Sequence, residues 1–306
     1  MRAATEKIEE QITQGVPFTI REFLAALHDG LPPAIEIEYV AGLRRFASIY
    51  SGRIYNKASA CAGTEIRVKL DMVFWEFLCE RYGIEVDVQH AWASEIKDDK
   101  QMFLRSQFPE LKQLFGDMAD VASDSATNLL TAELELIPET SSLSVGVPCT
   151  SRTPQSSSMQ KNLNCVQEKR EATGVSFDQV EQIARAHSPD DITMECVTQL
   201  CQMGPKQTLS DADFMTKQLA AMGYWGLHHT MDAEEQGGWT RIREWWVNAK
   251  HMVGNRDEIS AHYKAILSHL RLPQRYFDVS KCITICDKQR RQEGKALNIP
   301  LMIDHQ

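Results

Sequence analysis

From residue 58 onward, short apolar or β-branched runs alternate with longer segments of helical period, and this alternation constrains the fold more than any other feature. Segment 65–78 carries apolar residues at 66, 70, 73, 74, 77 and 78, a stripe of helical period, and Gly83 stands where that helix would be capped. Residues 86–93 read as a strand ending at Glu95, and a helix over 98–107 follows, stopped by Pro109. Residues 114–117 read as a short connection, 143–147 as a strand running into Pro148-Cys149, and 150–174 as a polar mobile loop. A helix over 175–186, a strand over 191–195, a helix N-capped by Ser210 and ending at Gly223, and a strand over 224–231 complete the pattern. Strands and helices in this order imply an α/β fold, a mostly parallel sheet with helices on both faces. Ligands of such sheets bind beyond the carboxyl ends of the strands, and Glu95, Asp117, Cys149 and Glu195 all fall there.

Three segments are expected: a helical or irregular lead-in over 1–57, a catalytic domain over 58–250, and a basic, mainly helical extension over 251–306. A short helix is expected at 5–14, and Pro32-Pro33 marks a break. No apolar run reaches the ~20 residues of a membrane span, and the first ten residues become charged too soon for a signal peptide. The eight cysteines contain no Cys-x-x-Cys pair, so no metal site is expected and a reducing, intracellular compartment is implied. The net charge of −9 hides an asymmetry: residues 241–306 hold 12 Lys+Arg against 7 Asp+Glu, leaving 21 against 35 elsewhere. That tail, with Lys288, Arg290 and Arg291 clustered, permits phosphate binding and equally suits a solvated basic helix.

Each candidate residue taken alone admits two roles. Cys149 is either a buried core thiol or a nucleophile held at a strand end. Glu195 is either a general acid or a cap for the next helix. Glu95 could accept hydrogen bonds from ribose hydroxyls, yet it lies 32 residues beyond Gly63, where a glycine turn and its acid are usually ~20 apart. Trp239-Thr240-Arg241-Ile242-Arg243-Glu244-Trp245-Trp246 would place Arg241 and Arg243 on one strand face, able to grip a phosphate or base oxygen, or simply solvated over an aromatic core.

In their order along the chain, these segments resemble the cytosine carbon-5 DNA methyltransferases over roughly residues 58–250. The turn at 59–65, with Ala60, Cys61, Ala62 and Gly63, resembles the family's Phe-x-Gly-x-Gly cofactor loop. Ala91-Trp92-Ala93-Ser94-Glu95-Ile96 resembles the motif whose acid meets the cofactor ribose, and Phe115-Gly116-Asp117-Met118 the one whose aspartate meets the adenine amine. Val147-Pro148-Cys149-Thr150-Ser151 resembles the Pro-Cys motif. Met194-Glu195-Cys196-Val197 resembles Glu-Asn-Val with cysteine for asparagine, and Trp239-x-Arg241-x-Arg243 resembles Gln-x-Arg-x-Arg without its glutamine.

The resemblance implies a Rossmann-like S-adenosylmethionine-dependent methyltransferase fold, with Ala60, Cys61, Ala62, Gly63, Glu95, Ile96 and Asp117 as cofactor positions. It implies Cys149 as the nucleophile at cytosine carbon 6, Glu195 as holder of the ring nitrogen and amine, and Arg241 or Arg243 as holder of the base oxygen. The partner implied is double-stranded DNA, in the nucleus or another DNA-bearing compartment, with RNA as the second candidate. The chain departs from the family in its alanine-containing loop, in Cys196, and in lacking a target-recognition domain and a Gly-Asn-x-Val-Pro closing motif. Those departures favour a non-catalytic relative or an enzyme completed by a partner chain.

Overall fold

The computed structural model describes residues 20–63, 66–152, 162–204, 207–232, 242–250 and 255–269. The expected helix at 5–14, Arg241, residues 153–161 of the polar loop and the basic cluster at 288–291 lie outside the described residues.

Two helices, α1 (Ile20–Asp29) and α2 (Pro33–Ile49), precede the first strand, β1 (Ile54–Ala60). Helix α3 (Ile66–Tyr82) ends at Gly83, whose φ of +62° is the left-handed turn a glycine adopts without strain. Next come β2 (Asp87–Ser94), α4 (Asp98–Gln107), β3 (Gln113–Phe115) and a small antiparallel pair, β4 (Ser125–Asn128) with β5 (Glu133–Leu136). Strand β6 (Ser142–Gly146), helix α5 (Glu171–His187) and strand β7 (Asp191–Cys196) follow. Helix α6 (Asp211–Ala221) is N-capped by Ser210, whose Oγ accepts the Asp213 N–H at 3.0 Å. The last described elements are β8 (Trp225–Asp232), β9 (Ile242–Ala249) and α7 (Arg256–His269).

Seven strands form one sheet in the order β3-β2-β1-β6-β7-β9-β8. Every neighbouring pair is parallel except those of β9, which runs antiparallel to both β7 and β8. The chain order reverses beside β1, which pairs with β2 on one side and β6 on the other. That reversal opens a crevice at the carboxyl edge, where ligands of such sheets bind. This is a Rossmann-like methyltransferase fold, as expected. Among the described residues, no helix is long and apolar enough to cross a membrane.

Strand residues Ala58, Ala60, Trp92, Leu143, Val145, Ile192, Met194 and Trp246 pack with Phe177, Val180, Ile183 and Ala184 of α5 and with Ala212, Met215 and Leu219 of α6. On β7 only every second residue is fully buried, so Ile192, Met194 and Cys196 enter this core while Asp191, Thr193 and Glu195 take the other face. Gly174 is demanded by a close approach, because a Cβ there would lie 2.1 Å from the Cys165 carbonyl oxygen.

Several local expectations need correction. Residues 113–115 form a strand, not a connection; three residues are too few to show alternation. The polar stretch ends earlier than expected, since α5 begins at Glu171 and Thr173 and Gly174 are buried. Arg152 and Asn162 within it are also buried, so its described ends are packed rather than loose. The described part of the lead-in, residues 20–57, is mostly helix; its second helix, α2, buries none of its residues fully, which leaves no amphipathic stripe to read. Strand β1 straddles the expected domain start at residue 58.

The helical lead-in carries a testable pH response. His28 of α1 is 3% exposed amid the rings of Tyr39, Phe74, Phe77 and Tyr82, at centroid distances of 5.1–6.1 Å, with Tyr82 Oη 3.0 Å from Nδ1. Burial, helped by the nearby Arg81 charge, lowers its pKa from 6.5 to about 4. The unfolded chain therefore takes up this proton first, and stability falls as pH drops from 6.5 towards 4, by on the order of 3 kcal/mol. Urea unfolding at pH 7.5 and pH 4.5 should show a smaller acid loss for His28→Phe than for the parent. Equal losses would place the acid sensitivity elsewhere.

Candidate active site

The carboxyl edge of the sheet gathers the residues singled out above. Beyond β1 the chain turns through Cys61, Ala62 and Gly63. Cys61 and Gly63 both take positive φ, +53° and +62°. For cysteine that conformation costs about 1 kcal/mol, which glycine would not incur. The turn is locked by its neighbours: the Ala62 N–H donates to the Ser94 carbonyl at 2.9 Å, and the Gly63 N–H to Glu95 Oε2 at 2.8 Å. Burial, reinforced by the Glu95 and Asp117 charges, pushes the Cys61 thiol up to about 11, so it stays neutral.

Glu95 follows β2 directly and is 5% exposed. Its Oε1 accepts the Lys97 N–H at 3.0 Å, its own N–H donates to the Phe115 carbonyl at 3.1 Å, and Lys100 Nζ stands 4.0 Å from Oε2. A carboxylate oxygen accepts more than one hydrogen bond, so Glu95 can still receive ribose hydroxyls. Ile96 is 66% exposed, an apolar side chain presented beside that acid. Asp117 follows β3, with Oδ1 accepting from the Ala119 N–H at 2.8 Å and from Gln179 Nε2 at 3.3 Å. Two acceptor carboxylates and an exposed apolar side chain on successive loops suit the hydroxyls and the ring of an adenosine. The residues present therefore fit an S-adenosylmethionine, with Cys61 as the one strained position.

Cys149 stands three residues beyond β6 and is half-buried. Its segment is fixed on both sides. The Val147 N–H donates to the Glu195 carbonyl at 3.2 Å, and Thr173 Oγ1 donates to the Pro148 carbonyl at 2.6 Å. Glu195 pairs in register with Gly146 on one side and Trp245 on the other. Its carboxylate meets Arg243 from the start of β9, Oε1 to Nε at 2.7 Å. The antiparallel direction of β9 brings this arginine to the edge where the parallel strands end. Cys196, where the resemblance expects asparagine, is 1% exposed, and burial raises its thiol far above the ordinary range. It packs as a neutral core group.

The structure thus brings Ala60, Cys61, Ala62, Gly63, Glu95, Ile96 and Asp117 to one end of the carboxyl edge, and Cys149, Glu195 and Arg243 to the other. Sequence reasoning passed over Arg152. Its side chain is fully buried, its N–H donates to the Cys149 carbonyl at 2.9 Å, and its guanidinium donates to the carbonyls of Asn162, Gln199 and Gln202. It clamps the turn after Cys149 to the turn after Glu195. An arginine in a polar stretch carries no sequence signal of such burial. Thr173, which fixes Pro148, was likewise hidden in a segment read as loop.

A family model described as C-5 cytosine-specific DNA methylase matches residues 79–274, well over half of the chain. No curated protein matches the chain in sequence. Among solved structures, it is similar to the S. pombe Dnmt2 methyltransferase, at 12% identity and a TM-score of 0.41, covering 66% of this chain and 52% of that one. A Spodoptera frugiperda DNMT2 triple mutant is similar at 14% identity and a TM-score of 0.40, covering 65% and 51%. The chain spans about half the length of each.

Proposed function

The chain belongs to the C-5 cytosine-specific DNA methylase family, and from that premise we propose that it methylates carbon 5 of cytosine in DNA through a covalent adduct on Cys149. The observation that carries the reading is the joining of the Cys149 segment to Glu195 and of Glu195 to Arg243 at the carboxyl edge.

Carbon 5 of cytosine is a poor nucleophile. Cys149 sulfur adds to carbon 6, and the ring becomes enamine-like, so that carbon 5 gains the electron density it lacked. Glu195 holds ring nitrogen 3 and the exocyclic amine as charge develops there, and Arg243 keeps its carboxylate in place. Arg243 and Arg241 are the two candidates for holding the base oxygen. Glu95, Ile96 and Asp117, with the turn at Ala60–Gly63, would hold S-adenosylmethionine, which would supply the methyl group. The carbon-5 proton then leaves to a base and the Cys149 sulfur is expelled. The target base must leave the duplex stack, at a cost of a few kcal/mol. A DNA substrate puts the protein in the nucleus or another DNA-bearing compartment.

The positive φ at Cys61 favours a second reading, a family member that binds no cofactor and serves as a partner subunit. Titration calorimetry with S-adenosylmethionine separates the two. Saturable binding, weakened ~10-fold or more by Glu95→Ala through loss of the ribose hydrogen bonds, is the expected result. Absence of binding at millimolar cofactor would sink the autonomous enzyme and leave the partner-subunit reading.

A further inference from the structure

The sheet face covered by α6 holds a second constellation that methyl transfer does not use. Cys201 closes the short 3-10 turn Thr198–Cys201 after β7, His228 lies on β8 and Glu244 on β9. They bring a sulfur, an imidazole nitrogen and a carboxylate oxygen within 4.8 Å of one another. Glu244 stands opposite Thr230 in the β8–β9 ladder, so His228 is its diagonal neighbour on the same face.

We propose that Cys201, His228 Nδ1 and Glu244 Oε1 bind a zinc ion, with solvent completing the tetrahedron. Thiolate, imidazole and carboxylate together form a zinc donor set, whereas magnesium and calcium call for oxygen alone. The surrounding hydrogen bonds are those that aim ligands at a metal. His228 Nδ1 lies 2.5 Å from Glu244 Oε1, and Nε2 lies 3.1 Å from Asp213 Oδ1, so the outer carboxylate fixes the tautomer that turns the Nδ1 lone pair towards Cys201 and Glu244. Thr230 Oγ1 donates to the other Glu244 oxygen at 2.8 Å, and Ser210 Oγ to the other Asp213 oxygen at 2.6 Å. Trp246, stacked on the imidazole at 5.8 Å and 29°, holds the ring plane.

Glu244 is 1% exposed while Cys201 is exposed, so the site is anchored in the core and open to incoming metal at its sulfur. Zinc here would tie the turn that follows Glu195 to the edge hairpin that carries Arg243. The inference does not depend on the methyltransferase reading.

The test uses the full-length protein, purified reduced and stripped of metal. Competition with a chromogenic chelator should give one zinc per chain, and cobalt(II) in its place should show a thiolate charge-transfer band with tetrahedral d–d absorption. Cys201→Ala, at an exposed position that disturbs no packing, should remove that band and weaken zinc at least ~100-fold, while Thr230→Val should weaken it ~10-fold or more. The Cys282→Ser/Cys286→Ser double variant should bind as the parent does. No stoichiometric zinc, a cobalt spectrum without the thiolate band, or binding that survives Cys201→Ala or vanishes in the tail variant would each overturn the site.

Discussion

Cys149→Ala is expected to lower methyl transfer to cytosine by ~10⁴-fold or more, the scale at which enzymes lose rate when their covalent nucleophile is deleted. The side chain is half-buried beside the core, so its loss trims little packing and the variant should unfold at close to the parent's urea midpoint. Cofactor affinity should also be unchanged, because Glu95, Ile96 and Asp117 sit on other strands' ends. Glu195→Gln should cost less, ~10²–10³-fold, since it removes a charge that stabilises the adduct but leaves the bond-forming sulfur in place. Oligonucleotides bearing 5-fluorocytosine make the chemistry visible: with no proton at carbon 5 to remove, the cysteine adduct cannot resolve. A band shifted on a denaturing gel is expected with DNA and the parent protein, and none with Cys149→Ala. A band with RNA alone would move the substrate to RNA. Methyl transfer that persists in Cys149→Ala would remove the covalent mechanism.

How far this site was legible depends on what each residue does. Glu95, Cys149 and Glu195 could be placed because each lies at or just beyond the end of a strand that could be read in the chain, whereas the strand before Asp117 is too short to read. Helix α6 was legible from Ser210, whose capping hydroxyl is a local matter. Helix α2 was not, because its burial is shared among partly exposed side chains with no stripe. Segment 239–246 was weighed as a strand, an edge strand on one reading, but the insertion of β9 between β7 and β8 is a matter of pairing, which no single segment encodes. That insertion turns Arg243 towards Glu195 and sets Glu244 beside His228. The Cys201–His228–Glu244 cluster escaped for the same reason: its members come from a turn and two strands, with no spacing motif to betray them.

Arg152→Met should destabilise the fold by about 3–5 kcal/mol, although methionine fills much of the same volume. The guanidinium is held by carbonyl oxygens from two separate segments, Asn162 on one side and Gln199 and Gln202 on the other. Removing it takes one donor from each of the three: the carbonyls of Asn162 and Gln199 keep the N–H groups of Cys165 and Gln202, while the Gln202 carbonyl loses the guanidinium bond, at roughly 1–3 kcal/mol where water does not reach. It also strips the nearby cation from Asp211, which is fully buried, accepts from Gln167 Nε2 at 3.2 Å, and has a pKa already raised by burial. Lysine keeps the charge but cannot spread donors in a planar fork to three carbonyls, so Arg152→Lys should recover less than half of the loss. Because the Arg152 N–H also closes the turn on the Cys149 carbonyl, and Gln199 and Gln202 belong to the turn after Glu195, losing the clamp should separate the two halves of the active site. Methyl transfer by Arg152→Met should therefore fall even at temperatures where the variant remains folded. Urea unfolding of the three proteins, paired with transfer rates well below the transition, decides it. A midpoint shift worth less than about 1 kcal/mol in Arg152→Met, within the range of an ordinary surface substitution, would mean that these carbonyls find other donors and that the two turns hold together without the guanidinium.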